Sequence, residues 1–120
     1  MTDWDAVLKG FLAGIVAGVV GLLIPFIGQI GAGLVAGFVA GYLAGGGVVR
    51  GAWHGLLAGA LGGLIVGAIA AFLATLFGIA LAGPVGALAG AGTVLVAFVL
   101  VVLFALDSAL AGAVGGLLND

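Results

Sequence analysis

Gly51-Ala-Trp-His-Gly55-Leu-Leu-Ala-Gly59-Ala-Leu-Gly-Gly63-Leu-Ile-Val-Gly67 carries five glycines at a strict four-residue interval, in a region with no charged residue between Arg50 and Asp107. Positions four apart share one face of an α-helix, so the row strips side chains from a single stripe. In lipid, where apolar surface gives helices no drive to associate, such a stripe lets a second backbone approach closely. The pattern reads as a glycine zipper in a membrane-spanning helix. Successive positions drift by about 40°, so the row winds through about 160° over about 24 Å. Either its partner crosses at the right-handed angle of about −40° usual for such motifs, or the row serves two neighbours in turn.

Two further rows flank this one: Gly10, Gly14 and Gly18 before it, and Gly33, Gly37, Gly41 and Gly45, with Leu34, Phe38 and Tyr42 on the adjoining stripe. All three rows can pack helices inside one subunit. Alternatively, four short spans use two rows and leave one for a homo-oligomer.

Composition sets the environment. Of 120 residues, 66% are hydrophobic and 5% charged, and the mean hydropathy is +1.59; a soluble domain has roughly a quarter of its residues charged. The charges are Asp3, Asp5, Lys9, Arg50, Asp107 and Asp120. With net charge −2 and two basic residues, nucleic acid is excluded as a partner, because phosphate binding needs clustered Lys and Arg. Cysteine is absent, which removes disulfides and thiolate ligands. The acidic start, Thr2-Asp3-Trp4-Asp5, lacks the positive region of a secretory signal, so the first segment is expected to be retained.

The pattern predicts an all-α integral membrane four-helix bundle, a single domain spanning residues 1–120. The first helix, about 3–23, begins at a Thr2/Asp5 capping pattern and ends before Pro25, where proline removes a backbone donor. The second, about 29–44, stops at Gly45-Gly46-Gly47. The third runs over about 51–82 to Gly83-Pro84, and the fourth over about 85–106. Asp107 and Ser108 then read as the N-cap of a short terminal helix, about 109–118. A single bent helix reaching Leu118 is the alternative, but it places Asp107 within the membrane at about 2.5 to 3.5 kcal/mol. The break is therefore expected, with no acidic residue at mid-membrane of the kind that rotary proton-carrying subunits use. Gly10, Leu12, Gly14 and Gly18 align with Gly59, Leu61, Gly63 and Gly67 at an offset of 49, the pattern two parallel helical hairpins would leave.

Four spans put both termini and the Arg50 link on one side. Lys9 and Arg50 are the only basic residues and both fall there, so that side is predicted to be cytoplasmic. Lys9, Arg50, His54 and Asp107 form a candidate polar rim, with Trp4, Trp53 and Tyr42 as interfacial anchors. His54, Arg50 and Asp107 are the material for a titratable cluster. The Val94–Leu106 segment, free of glycine, is expected to face lipid.

Catalytic chemistry has little raw material. Glu is absent, with one His and one Ser in the chain, so carboxylate pairs and metal clusters cannot be assembled and no cofactor is expected. A Ser108–His54 hydrolase lacks a G-x-S-x-G elbow. Gly31, Gly33 and Gly37 miss the dinucleotide fingerprint in spacing and in the strand that should precede them.

The run from Pro25 through Gly28-Gln29-Ile30-Gly31 to Tyr42-Leu43-Ala44, followed by Gly51-Ala-Trp-His-Gly-Leu-Leu-Ala-Gly-Ala-Leu-Gly-Gly63, resembles a family of small multipass membrane proteins of halophilic archaea, a domain of unknown function. Asp3-Trp4 with Gly10-Phe11, and the closing Ser108-Ala-Leu-Ala-Gly-Ala-Val-Gly-Gly-Leu-Leu118, extend the likeness over nearly the whole chain. The resemblance implies a plasma-membrane location with about four spans, and no activity. Asp107 departs from the apolar or proline-containing approach more usual there. The leading expectation is a non-enzymatic membrane protein of structural or assembly role, self-associating or joined to a membrane partner. The alternative is a small channel or transporter component with Gln29, Thr75 and His54 near its path.

Overall fold

The computed structural model describes residues 2–24 and 27–120, and the elements there are α1 (Trp4–Gly21), α2 (Ile27–Ala44) and α3 (Val48–Leu118). The Pro25 turn expected from the sequence lies outside the described residues. Three helical elements are present where the sequence predicts four and a short fifth. The third contains a single non-helical residue, Gly83, at φ 60° and ψ −134°, a conformation open to glycine because it has no Cβ. Pro84 follows in the first turn of the next segment, where its missing N–H has no helical partner to lose. One residue thus folds α3 back on itself into a first arm, 48–82, and a second arm, 84–118. A methyl group placed on Gly90 would lie 2.9 Å from the Thr75 Cα, and one on Gly86 would run into the Gly78 carbonyl.

The break expected at Asp107-Ser108 is absent: the second arm is helical through both residues to Leu118, so 85–106 and 109–118 are one helix. Asp107 caps nothing. At the other end of the chain the capping residue is Asp3, whose carboxylate accepts from the Ala6 N–H at 3.2 Å.

α1 and α2 form a shorter hairpin, with Gly10 and Gly14 of α1 against Ala36 and Ala40 of α2. α2 then lies along the second arm in the same direction: Gly37 faces Ser108, Gly41 faces Gly112, and Gly45 faces Asn119. α1 runs alongside the first arm, also in the same direction, through Asp3 to His54 and Phe11 to Gly62. The two hairpins are therefore parallel, with neighbours 51 positions apart. The buried cluster consists of Val7, Ala36, Ala40 and Ala58, flanked by Leu57 and Leu61. Its side chains are small because the backbones come together.

Gly51, Gly55 and Gly59 meet Gly116, Gly112 and Ser108 of the second arm; Gly63 and Gly67 meet the Val101 side chain. The row thus keeps one partner instead of serving two, and its winding shows as a change from backbone contact to side-chain contact. All three glycine rows are occupied within the chain, which removes the argument that one is spare. Val101 and the buried Ala105 also take part of the 94–106 segment out of the lipid-facing role expected for it.

The hairpins differ in length. α1 and α2, of 18 residues each, rise about 27 Å, whereas each arm of α3 rises about 50 Å, in a molecule 54 Å long and 19 Å across its thinnest direction. Four helices pack side by side at one end. Beyond them, roughly from Leu73 to Ala97, the α3 arms continue as a two-helix ribbon with Leu76, Phe77, Ile79, Leu88 and Leu95 exposed.

Candidate functional site

The parallel hairpins bring the N-terminal ends of α1 and of the first arm together with the C-terminal ends of α2 and of the second arm. Nearly all the polar chemistry of the chain gathers at this end. The α2–α3 link is Gly45-Gly46-Gly47, with φ of 57°, 78° and 95°; this left-handed run carries the Gly47 N–H to the Gly116 carbonyl at 3.3 Å, where it satisfies an acceptor at the end of the second arm. The Asn119 amide donates to the Tyr42 carbonyl at 2.7 Å, clipping the ends of α2 and the second arm together. Lys9 pairs with Asp5 at 2.7 Å, exposed, on one face of α1, and Arg50 is exposed one turn into the first arm.

His54 is 1% exposed. Its Nε2 lies 2.7 Å from the Asp3 backbone nitrogen, and its Nδ1 lies 2.7 Å from the Arg50 carbonyl oxygen. A backbone N–H only donates and a carbonyl only accepts, so Nε2 accepts, Nδ1 carries the hydrogen, and the ring is neutral. Next to it, the Trp53 indole donates to the Thr2 hydroxyl at 3.1 Å. His54 is thus a bolt holding the start of α1 to the first arm. The cluster for which the sequence offers His54, Arg50 and Asp107 as material is not assembled, since both ring nitrogens are spent on backbone groups.

Ser108 is fully buried and donates to the Gly55 carbonyl at 2.7 Å. Gly37 and Gly55 press on its backbone and Gly59 on its Cβ, so α2 and both arms meet around this one small residue. With its hydroxyl hydrogen given to Gly55 and His54 engaged elsewhere, the pair has no nucleophile–base bond. Thr75 donates to the Ala71 carbonyl one turn back at 2.8 Å, which ties its hydroxyl into its own helix. The Gln29 side chain lies outside the described residues.

Asp107 stands apart from the polar end. It is about 16 Å of helical rise from Leu118, with its Oδ2 buried and without a hydrogen-bond partner among the described residues. That oxygen lies beside Gly33 of α2, 3.5 Å from where a methyl group there would be, an ordinary van der Waals contact. The helix runs on through Asp107 and sets it apart from Lys9, on another element, and from Arg50 and His54, nearer the polar end, the other residues of the expected rim.

A family model matches residues 4–118. The chain belongs to a family of unknown function, DUF5518. No curated protein and no solved structure matches it. Among the described residues of this DUF5518 chain, no group of three His, Cys, Asp or Glu side chains is placed to hold a metal ion. Two helices are long and apolar enough to cross a membrane, Trp4–Gly21 and Val48–Leu118. The roles of His54, Ser108 and Asn119 escape a reading of spacing, because the side chain of each bonds a backbone group more than fifty residues away. The one trace of this pairing in the sequence is the near-matching offset of 49 between glycine rows.

Proposed function

We propose that this chain is a non-enzymatic, multipass plasma-membrane protein whose role is structural: a glycine-zipper-packed scaffold that self-associates through the distal ribbon of α3. The observation that carries the reading is the length mismatch. Each α3 arm presents about 50 Å of apolar helix to a hydrocarbon layer about 30 Å thick. Spanning that layer with the whole arm would need a tilt of about 55°, beyond the 0 to 40° seen for membrane helices. Lipid therefore covers only part of the ribbon, and a second copy, with the same surplus, is the partner whose surface matches it. Lys9 and Arg50 lie at the same end of the molecule, which supports cytoplasmic termini through the positive-inside rule. The likeness to small multipass proteins of halophilic archaea supports the same location.

The test uses the absence of cysteine. Single cysteines replacing Phe77 or Val96 on the ribbon should give oxidised dimers in native membranes, whereas one replacing Leu12 on α1 should not. Native mass in mild detergent should show more than one chain. A monomeric mass together with no ribbon crosslink removes the proposal.

A further inference from the structure

We propose that a second copy of this chain docks its α1 into the groove between α2 and the second arm, with Lys9 of one copy paired to Asp107 of the other. The inference rests on the membrane reading above and adds a contact separate from the ribbon. Its groundwork is a match of depth. Asp3 lies against His54 and Phe11 against Gly62, which sets Lys9 level with Ala60 of the first arm, where Gly59 faces Ser108 and Ala105. The count through α2 agrees: Gly10 meets Ala36 and Ala40, while Gly37 meets Ser108 and Gly41 meets Gly112. Both routes put Lys9 within about one helical turn of the level of Asp107.

The two groups are not paired within the chain. Lys9 pairs with Asp5 at 2.7 Å in an exposed contact, and Asp107 Oδ2 has no hydrogen-bond partner among the described residues. An exposed pair on neighbouring turns is weak, so Lys9 is free to exchange Asp5, which is nearer water, for a carboxylate deeper in the apolar layer, where charges are screened less. Asp107 stands at the head of a shallow apolar groove. Asp107, Ala111 and Val114 fall on one stripe of the second arm, and the last two form the groove wall opposite Leu34, Val35 and Phe38 of α2. Asp107 is half-buried, so its side chain stays partly open to an approaching helix. At the matching depth α1 offers Trp4 and Leu8, 58% and 51% exposed, one turn apart beside Lys9. Insertion gives every copy one orientation, which brings Lys9 of one copy level with Asp107 of the next. The contact joins unlike surfaces, so no residue meets its own counterpart. Lipid confines the copies to one depth and raises their effective concentration; extraction removes that confinement, so native mass in detergent reports the ribbon and a crosslink in membranes reports this contact.

The experiment mixes two full-length copies in native membranes, a tagged L8C chain and an untagged A111C chain, and reads the oxidised heterodimer. A product is expected from the mixture and from neither chain alone. Adding K9D to the L8C copy, or D107N to the A111C copy, should lower the product about tenfold, and combining K9D in one copy with D107K in the other should restore it. No product from the mixture overturns the docking and leaves the groove to acyl chains or to a different helix. A product unchanged by K9D and D107N, or a loss that D107K does not recover, overturns the ion pair. The F77C crosslink reads the ribbon contact on other residues, so either contact can fail alone, and recovery of the chain in the carbonate-washed supernatant overturns the membrane reading beneath both.

Discussion

His54 and Ser108, the only residues of their types, both serve as fasteners between elements. Replacing His54 by Phe keeps a ring in the buried site but leaves the Asp3 N–H without its acceptor, at a cost of about 1 to 3 kcal/mol. Hydrogen exchange should then show the start of α1 losing protection while the second arm is unchanged; equal loss across the chain would mean that the ring acts by packing alone. Ser108→Ala removes one interhelical bond, worth about 0.6 to 2 kcal/mol in membrane proteins, and preserves the close approach of Gly37, Gly55 and Gly59. A larger residue at Ser108 meets three backbones at once. The residue scale was the least legible in the sequence. A single Asp followed by Ser has the chemistry of a helix cap, and nothing within a few positions of Asp107 tells that its carboxyl lies beside Gly33 of another element.

Helices follow from period and composition, and their existence and lengths were largely legible: α1 and α2 lie within two residues of the expected bounds, and Gly83-Pro84 marks the reversal. The glycines divide by what faces them. Gly55→Ile drives a side chain into the Ser108 carbonyl and the Gly112 Cα, backbone that cannot move aside, and should destabilise by about 3 kcal/mol or more. Gly92→Ala meets nothing within 4 Å and should change stability by no more than about 1 kcal/mol, in the stabilising direction. Thermal unfolding of both variants in one detergent checks the pair, and similar midpoints would contradict the packing described. At the reversal, Gly83→Ala has space around it but carries the positive φ, so its cost of about 1 to 3 kcal/mol is conformational strain. Gly83→Asn should recover none of the loss, since ψ of −134° lies outside the left-handed helical well that asparagine tolerates.

The whole molecule joins a four-helix layer to a two-helix ribbon, and this unequal construction is where self-association would arise. Shortening both α3 arms by the same whole number of turns, taken symmetrically from either side of Gly83 within Leu73–Ala97, preserves the pairing of Gly51 with Gly116 and of Gly55 with Gly112. The shortened chain should stay in the membrane fraction and lose its higher-mass species by native mass spectrometry; an unchanged assembly would place the interface in the four-helix layer. Helicity, an apolar surface and three bare stripes are all legible from spacing and composition, since each depends on residues a turn or two away along the chain. Which backbone fills each stripe, that no stripe is left over, and that Asp107 sits in a continuous helix away from the polar end were decided by the tertiary structure alone. A four-residue period describes one face of one helix and repeats identically whatever lies opposite, so only the register between hairpins, set by pairs such as Asp3 with His54 and Gly55 with Ser108, assigns each stripe its partner.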